Sequence, residues 1–285
     1  MRFRIDLAYD GTNFRGWATQ PQLRTVQGEL ERALGTICQT PISLTVAGRT
    51  DAGVHALEQV AHFDADCIVL DQCDQGSEKL ARRINKLLAL QAKHDGMRGG
   101  DIMVRKVFPV SAAFDARFSA LWRSYRYLVA DSLEAQSPLT TRYVAATVPL
   151  DVERMMEASQ ALLGEHDFLS FCKPREGATT IRTLHQFDIT RRGDGLVEFT
   201  VRADAFCHSM VRSLVGATVD VGSGSREANH LRRLIASPGR QVAARLMPPH
   251  GLALAHIAYP DTERGLKEQS QNARRVRTLA DVPKK

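Results

Sequence analysis

Two kinds of apolar spacing alternate along this chain, and the alternation occurs twice. Phe3, Ile5, Leu7 and Tyr9 alternate with Arg2, Arg4, Asp6 and Ala8, the period of a strand with one buried face. Asp10-Gly11-Thr12-Asn13 closes that run with turn residues. Val26, Leu30, Ala33, Leu34 and Ile37 then share one helical stripe. Ile42, Leu44 and Val46 return to strand period, and Leu57, Gln59, Ala61 and Phe63 give a weaker strand. Residues 77–90 predict a helix with Leu80, Ile84, Leu87 and Leu88 on its stripe, and Met103, Arg105 and Val107 predict another strand.

The second half follows the same order. Tyr125, Tyr127 and Val129 lie on one face of a strand over 123–130. Val152, Met155, Met156, Ser159, Leu162 and Leu163 suit a helix with Asp151 as its N-cap. Residues 181–190 and 196–203 form a hairpin around Arg192-Gly193-Asp194-Gly195. Residues 207–219 are helical, and a last strand lies near 252–259 after Pro248-Pro249-His250-Gly251. This order predicts an α+β fold of two similar halves, with antiparallel sheets and helices packed on one face. The expected domains are 1–115, 116–262 and a polar basic tail, 263–285.

The 285 residues suffice for two cores. Lys and Arg total 38 against 32 Asp and Glu, a net charge of +6 that favours a nucleic-acid or other anionic partner. The N-terminus has no apolar core of a signal peptide, and no run approaches the ~20 apolar residues of a membrane span. Five cysteines, odd in number and without a CxxC pair, suit a cytoplasmic protein with free thiols. Nine histidines occur without HExxH, and there is no GxSxG elbow, which argues against zinc and serine hydrolases.

Between two of the expected strands lies Gly48-Arg49-Thr50-Asp51-Ala52-Gly53-Val54-His55-Ala56. Its glycines permit a sharp turn that presents Asp51. Arg49 can pair with Asp51 and favour its ionised form, or hold a phosphate in its planar fork. A structural salt bridge in a tight turn fits the same residues.

The segment resembles the catalytic signature of the TruA-type tRNA pseudouridine synthases. Other segments agree in order: Tyr9-Asp10-Gly11-Thr12-Asn13-Phe14-Arg15-Gly16-Trp17, Thr25-Val26-Gln27-Gly28-Glu29-Leu30-Glu31, and Phe114 to Ala120 leading into Arg123-Ser124-Tyr125-Arg126-Tyr127. Leu163 to Phe168, Phe206 to Arg212 and Pro249-His250-Gly251-Leu252 follow. The likeness spans about residues 1–260. It departs from the family pattern at Ala18-Thr19-Gln20 and between Asn85 and Asp101.

The resemblance implies an isomerase that converts uridines 38, 39 and 40 of the tRNA anticodon stem-loop to pseudouridine, without a cofactor or metal. It implies a homodimer with tRNA as substrate and an active-site cleft between the two halves. Asp51 is then the essential carboxylate, with Arg49 and Arg212 beside it and Tyr125 packed on the target base. Leu252 lines the base pocket and His208 borders it. As plain sequence, Tyr125 and Leu252 also read as core positions and His208 as a structural histidine. Arg15, Arg24, Arg117 and Arg123 are candidates for phosphate contacts. A synthase of this family with another RNA target, or a non-catalytic RNA-binding protein, fits the same basic charge; the presence of Asp51 argues against the latter.

Overall fold

The protein is described by a computed structural model covering residues 1–66, 77–97, 99–173, 179–236 and 244–275. It divides into two units. The first, Met1–Leu121 with Leu254–Arg274, contains β1 (Arg2–Tyr9), α1 (Val26–Cys38), β2 (Thr45–Val46), β3 (His55–Asp64), α2 (Ser77–His94) and β4 (Ile102–Val110). The second begins at Trp122 and contains β5 (Trp122–Ala130), β6 (Ala145–Ala146), α3 (Val152–Ser159), β7 (Gly164–Asp167), β8 (Ile181–Arg191), β9 (Val197–Ala203), α4 (Met210–Gly222) and α5 (His230–Ala236). The chain then forms β10 (Leu252–Ala258), which returns to the first unit from Leu254 onward, and α6 (Glu263–Ala273). The division therefore falls after residue 121 rather than 115, and 254–274 belongs with the N-terminal unit rather than with a C-terminal domain and tail.

In the first unit β1 is the middle strand, antiparallel to β3 on one side and β4 on the other. Phe3, Ile5, Leu7 and Tyr9 are buried, as their alternation requires. The stripe of α1 is buried in full, and Thr25 caps the helix by accepting the Gly28 amide at 3.2 Å. Asn85 on α2 both donates to the Val104 carbonyl and accepts its amide, each at 2.8 Å, tying helix to strand.

β4 forms where Met103, Arg105 and Val107 predict a strand, and its buried positions change phase partway. Ile102, Val104 and Val107 are buried while Met103 and Arg105 are exposed. The register against β1 slips between Asp6 and Leu7, which face Lys106 and Val104, so Arg105 is an extra residue. A bulge of this kind shifts the phase of the alternation within one strand.

In the second unit β9 lies between β5 and β8, and β7 continues the sheet from β8, all antiparallel. The two-residue β6 runs parallel to β5 and is the exception to the antiparallel expectation. Asp151 caps α3 by accepting the Arg154 amide at 2.9 Å. The 192–195 turn closes the β8–β9 hairpin with Gly195 at φ +83°. Helix α4 starts at Met210 rather than 207, because Ser209 adopts φ +63° and interrupts the run.

The basic tail is also corrected as far as it is described. Residues 263–273 form α6, capped by Thr262. None of its residues is buried. It is held by polar contacts to the first unit: Gln269 donates to the Ala120 carbonyl at 3.0 Å and Ser119 to the Leu266 carbonyl at 3.3 Å. Arg274 follows it, stacked 3.9 Å over Phe118 and paired with Asp115 at 3.2 Å. An apolar stripe is absent, so a reading by periodicity misses the helix. Residues 276–285 lie outside the described residues.

Candidate active site

The loop between β2 and β3 is tied at almost every residue. Gln59, fully buried on β3, donates its amide to the Gly48 carbonyl at 2.9 Å and to the Tyr9 hydroxyl at 3.1 Å. The Tyr9 hydroxyl lies 2.8 Å from Thr50 Oγ1. The Thr50 carbonyl accepts the Trp17 amide at 3.0 Å, and Gly53 N donates to the Phe14 carbonyl at 3.3 Å. Val54 N closes the turn on the Asp51 carbonyl at 3.2 Å.

Glycines let the opening motif come this close. A Cβ on Gly11 would stand 2.0 Å from the Val54 carbonyl oxygen. Gly16, at φ +91°, would place one 2.9 Å from the Thr50 oxygen. The Gly11 amide in turn donates to His55 Nδ1 at 3.0 Å. Sequence segments 9–17 and 48–55 therefore pack as one structural unit.

Thr50 is turned inward and buried, Arg49 outward and exposed, and Asp51 is half-buried at the turn. Arg49 makes no ion pair among the described residues, so the Arg49–Asp51 pairing that the sequence left open is not formed. Its outward direction follows from the inward anchoring of Thr50 next to it. A carboxylate on a loop held this way keeps one position without being sealed from solvent, which suits a nucleophile or base.

The other residues singled out in the sequence fall into two groups. Tyr125 and Arg212 belong to the second unit. Tyr125 is buried on β5, and the Phe206 ring meets it edge-on with centroids 5.0 Å apart. Arg212, half-buried on α4, donates through Nε to the Met247 carbonyl at 2.7 Å. Gly216, one turn further on α4, permits this approach, since a Cβ there would lie 1.8 Å from the Arg245 carbonyl oxygen. Leu252 is buried at the start of β10, and His208 is exposed before α4. Tyr127 is a core residue: burial pushes its phenol well above the ordinary value, and its hydroxyl donates to the Pro248 carbonyl at 2.7 Å.

Two of the four phosphate candidates are committed inside the protein. Arg24 makes two bonds to Asp101, at 2.6 and 3.1 Å, and stacks 4.2 Å over Phe14. Arg123 is buried and donates to the Asp204 carbonyl at 2.9 Å. Arg15 and Arg117 are exposed. Asp101 also receives the Asp10 amide on its carbonyl at 2.9 Å, so the end of the divergent 85–101 stretch braces the opening motif.

Sequence reasoning passed over Gln59, Tyr9 and Thr50 as positioning residues. The available signal was Gln59 itself, a polar side chain in the inward register of an otherwise apolar alternation.

A sequence profile described as tRNA pseudouridine synthase matches residues 158–260. The chain is 47% identical to the tRNA pseudouridine synthase A of Leifsonia xyli subsp. xyli, over 98% of both chains. It is also 47% identical to the protein of that name from Cutibacterium acnes, over 99% of this chain and 96% of the relative. The identity to that of Streptomyces griseus is 46%, over 98% and 95%. The class defined by the α+β fold and these matches is the pseudouridine synthases. At such identity over nearly the full length, the chain belongs to the tRNA pseudouridine synthase A family.

Proposed function

We propose that this chain converts uridine to pseudouridine at positions 38, 39 and 40 of the tRNA anticodon arm, with Asp51 as the essential carboxylate. The observation that carries the reading is the anchored loop: five hydrogen bonds hold the residues around Asp51 while its side chain stays half-buried rather than sealed.

The reaction is an isomerisation. The N1–C1′ bond breaks, the base turns, and C5 bonds to C1′ while its proton is lost and N1 gains one. Attack by a carboxylate at C1′ or C6, and removal of the C2′ proton, each require Asp51 to be ionised. The family motifs give Arg212 the role of charge partner for that carboxylate and Tyr125 that of stacking on the base and serving the late proton transfer at C5. Stacking of a base on an aromatic ring contributes ~1–3 kcal/mol. Leu252 and His208 take the base-pocket roles implied by their motifs, and Arg49 the space vacated by the extruded base.

A uridine must leave its helical stack to react, which costs a few kcal/mol and least at the loop end of a stem. Recognition that accepts varied flanking bases must use shape and phosphates. Arg15 and Arg117 are the better placed of the four arginines for this, since Arg24 and Arg123 are engaged internally. The assembly that goes with this reading is a cytoplasmic homodimer with one tRNA spanning both subunits.

The test uses unmodified tRNA transcripts carrying uridine singly at 38, 39 or 40, with carbodiimide mapping of the product. Pseudouridine at each of the three positions supports the reading. Modification elsewhere, with these three untouched, overturns the target assignment.

A further inference from the structure

Two thiols that the proposed reaction does not use meet in the second unit. Cys172 follows the short turn Leu169–Phe171, and Cys207 precedes α4. Both are free, and each thiol lies close enough to shift the other's acidity. Their backbones run side by side, since Lys173 N donates to the His208 carbonyl at 3.1 Å. Cys172 is buried, while Cys207 is partly exposed. The Cys207 thiol also lies 3.8 Å from the Thr180 carbonyl, at the entry to β8.

We propose that Cys172 and Cys207 are a reversible redox pair, closed to a disulfide by a hydroperoxide, and that closure turns the enzyme down.

The chemistry assigns different roles to the two sulfurs. The neighbouring Cys172 thiol favours the thiolate of Cys207 and lowers its pKa, with the Arg182 guanidinium acting in the same direction; burial and the Asp167 and Asp204 carboxylates oppose it. Cys207 in turn, together with burial, raises that of Cys172. Cys207 is thus the more acidic and the more accessible thiol, the pattern of an attacking cysteine with a resolving partner beside it. Its thiolate attacks one peroxide oxygen, the O–O bond breaks, and an alcohol or water leaves, giving Cys207 sulfenic acid. The Cys172 sulfur then attacks the Cys207 sulfur. The S–O bond breaks, and the departing hydroxide takes the Cys172 proton as water. Two thiols and one hydroperoxide yield one disulfide, one alcohol or water, and one further water. A dithiol reductant restores the pair by exchange.

The position of Cys207 gives closure a consequence. Phe206, its neighbour, packs edge-on against Tyr125 at 5.0 Å. On its other side, Ser209 sits in the left-handed conformation that starts α4, the helix of Arg212. Disulfide geometry is specific, so closure fixes Cys207, and the 206–209 stretch that carries it, against Cys172. A displacement of ~1 Å near reacting groups costs up to about 100-fold in rate. This link to rate rests on the assignment of Tyr125 and Arg212 above; formation of the bond does not.

The test treats the full-length protein with hydrogen peroxide, maps disulfides by mass spectrometry of non-reduced peptides, and measures turnover on tRNA before and after dithiothreitol. The expected result is a Cys172–Cys207 peptide, with a loss of turnover of about 10-fold or more that dithiothreitol reverses and that Cys172→Ser lacks. No such peptide from the native, active protein overturns the pair itself. The peptide formed with turnover undiminished overturns the control of activity and leaves the catalytic assignment of Asp51 unaffected.

Discussion

Gln59 has no exposed surface, and its amide nitrogen serves two acceptors, the Gly48 carbonyl and the Tyr9 hydroxyl. Through Tyr9 it also reaches Thr50, the residue before Asp51. Gln59→Leu keeps the volume near that of the original and removes both donors, leaving a polar group in the interior unsatisfied at a cost of about 1–3 kcal/mol. The variant is expected to unfold at lower denaturant concentration and to turn over more slowly on tRNA. Unchanged turnover in a variant of lowered stability would show that the loop does not need this anchor. Asp51 and its flanking glycines were legible in the sequence because a glycine-bracketed acid between strands is a local pattern. The outward turn of Arg49 was not. It depends on Thr50 bonding to Tyr9, 41 residues away, and no local pattern reports so distant a partner.

Strands and helices with one buried face were read correctly wherever the alternation ran unbroken, as in β1, α1, β5 and β9. In β4 a single inserted residue, Arg105, reverses the phase partway, so Met103, Arg105 and Val107 mark the strand without sharing one buried face. α6 was missed because polar and cation–π contacts hold it in place of an apolar stripe. β3 illustrates a third case: it is buried on both faces, so His62 is enclosed beside Phe63. His62 Nδ1 accepts the Ala116 amide at 3.0 Å, a bond that requires a neutral nitrogen there. Burial, assisted by the nearby Arg2 guanidinium, holds its pKa below the ordinary histidine value. A folded-state pKa below the unfolded one means that stability is fully present above about pH 6.5 and is lost as pH falls through the folded value. Denaturant midpoints measured between pH 7.5 and 5 are expected to fall more steeply for the wild type than for His62→Asn, which retains an acceptor but cannot take up a proton. Equal slopes would contradict that role.

The resemblance read over residues 1–260 and the relatives aligned over nearly the whole length agree on the family, so the class of protein was legible from ordered motifs alone. The placement of the domain division was not, because β10 and α6 return to the first unit after the second has been completed. Such a return is a matter of long-range pairing, which apolar periodicity does not encode. The proposed function rests catalysis on one anchored carboxylate, and the most direct measurement removes only its charge. Asp51→Asn and the wild type should be compared on unmodified tRNA, with binding and the yield of pseudouridine measured on the same samples. The variant is expected to bind tRNA and to form no pseudouridine; turnover at the wild-type rate would contradict the account.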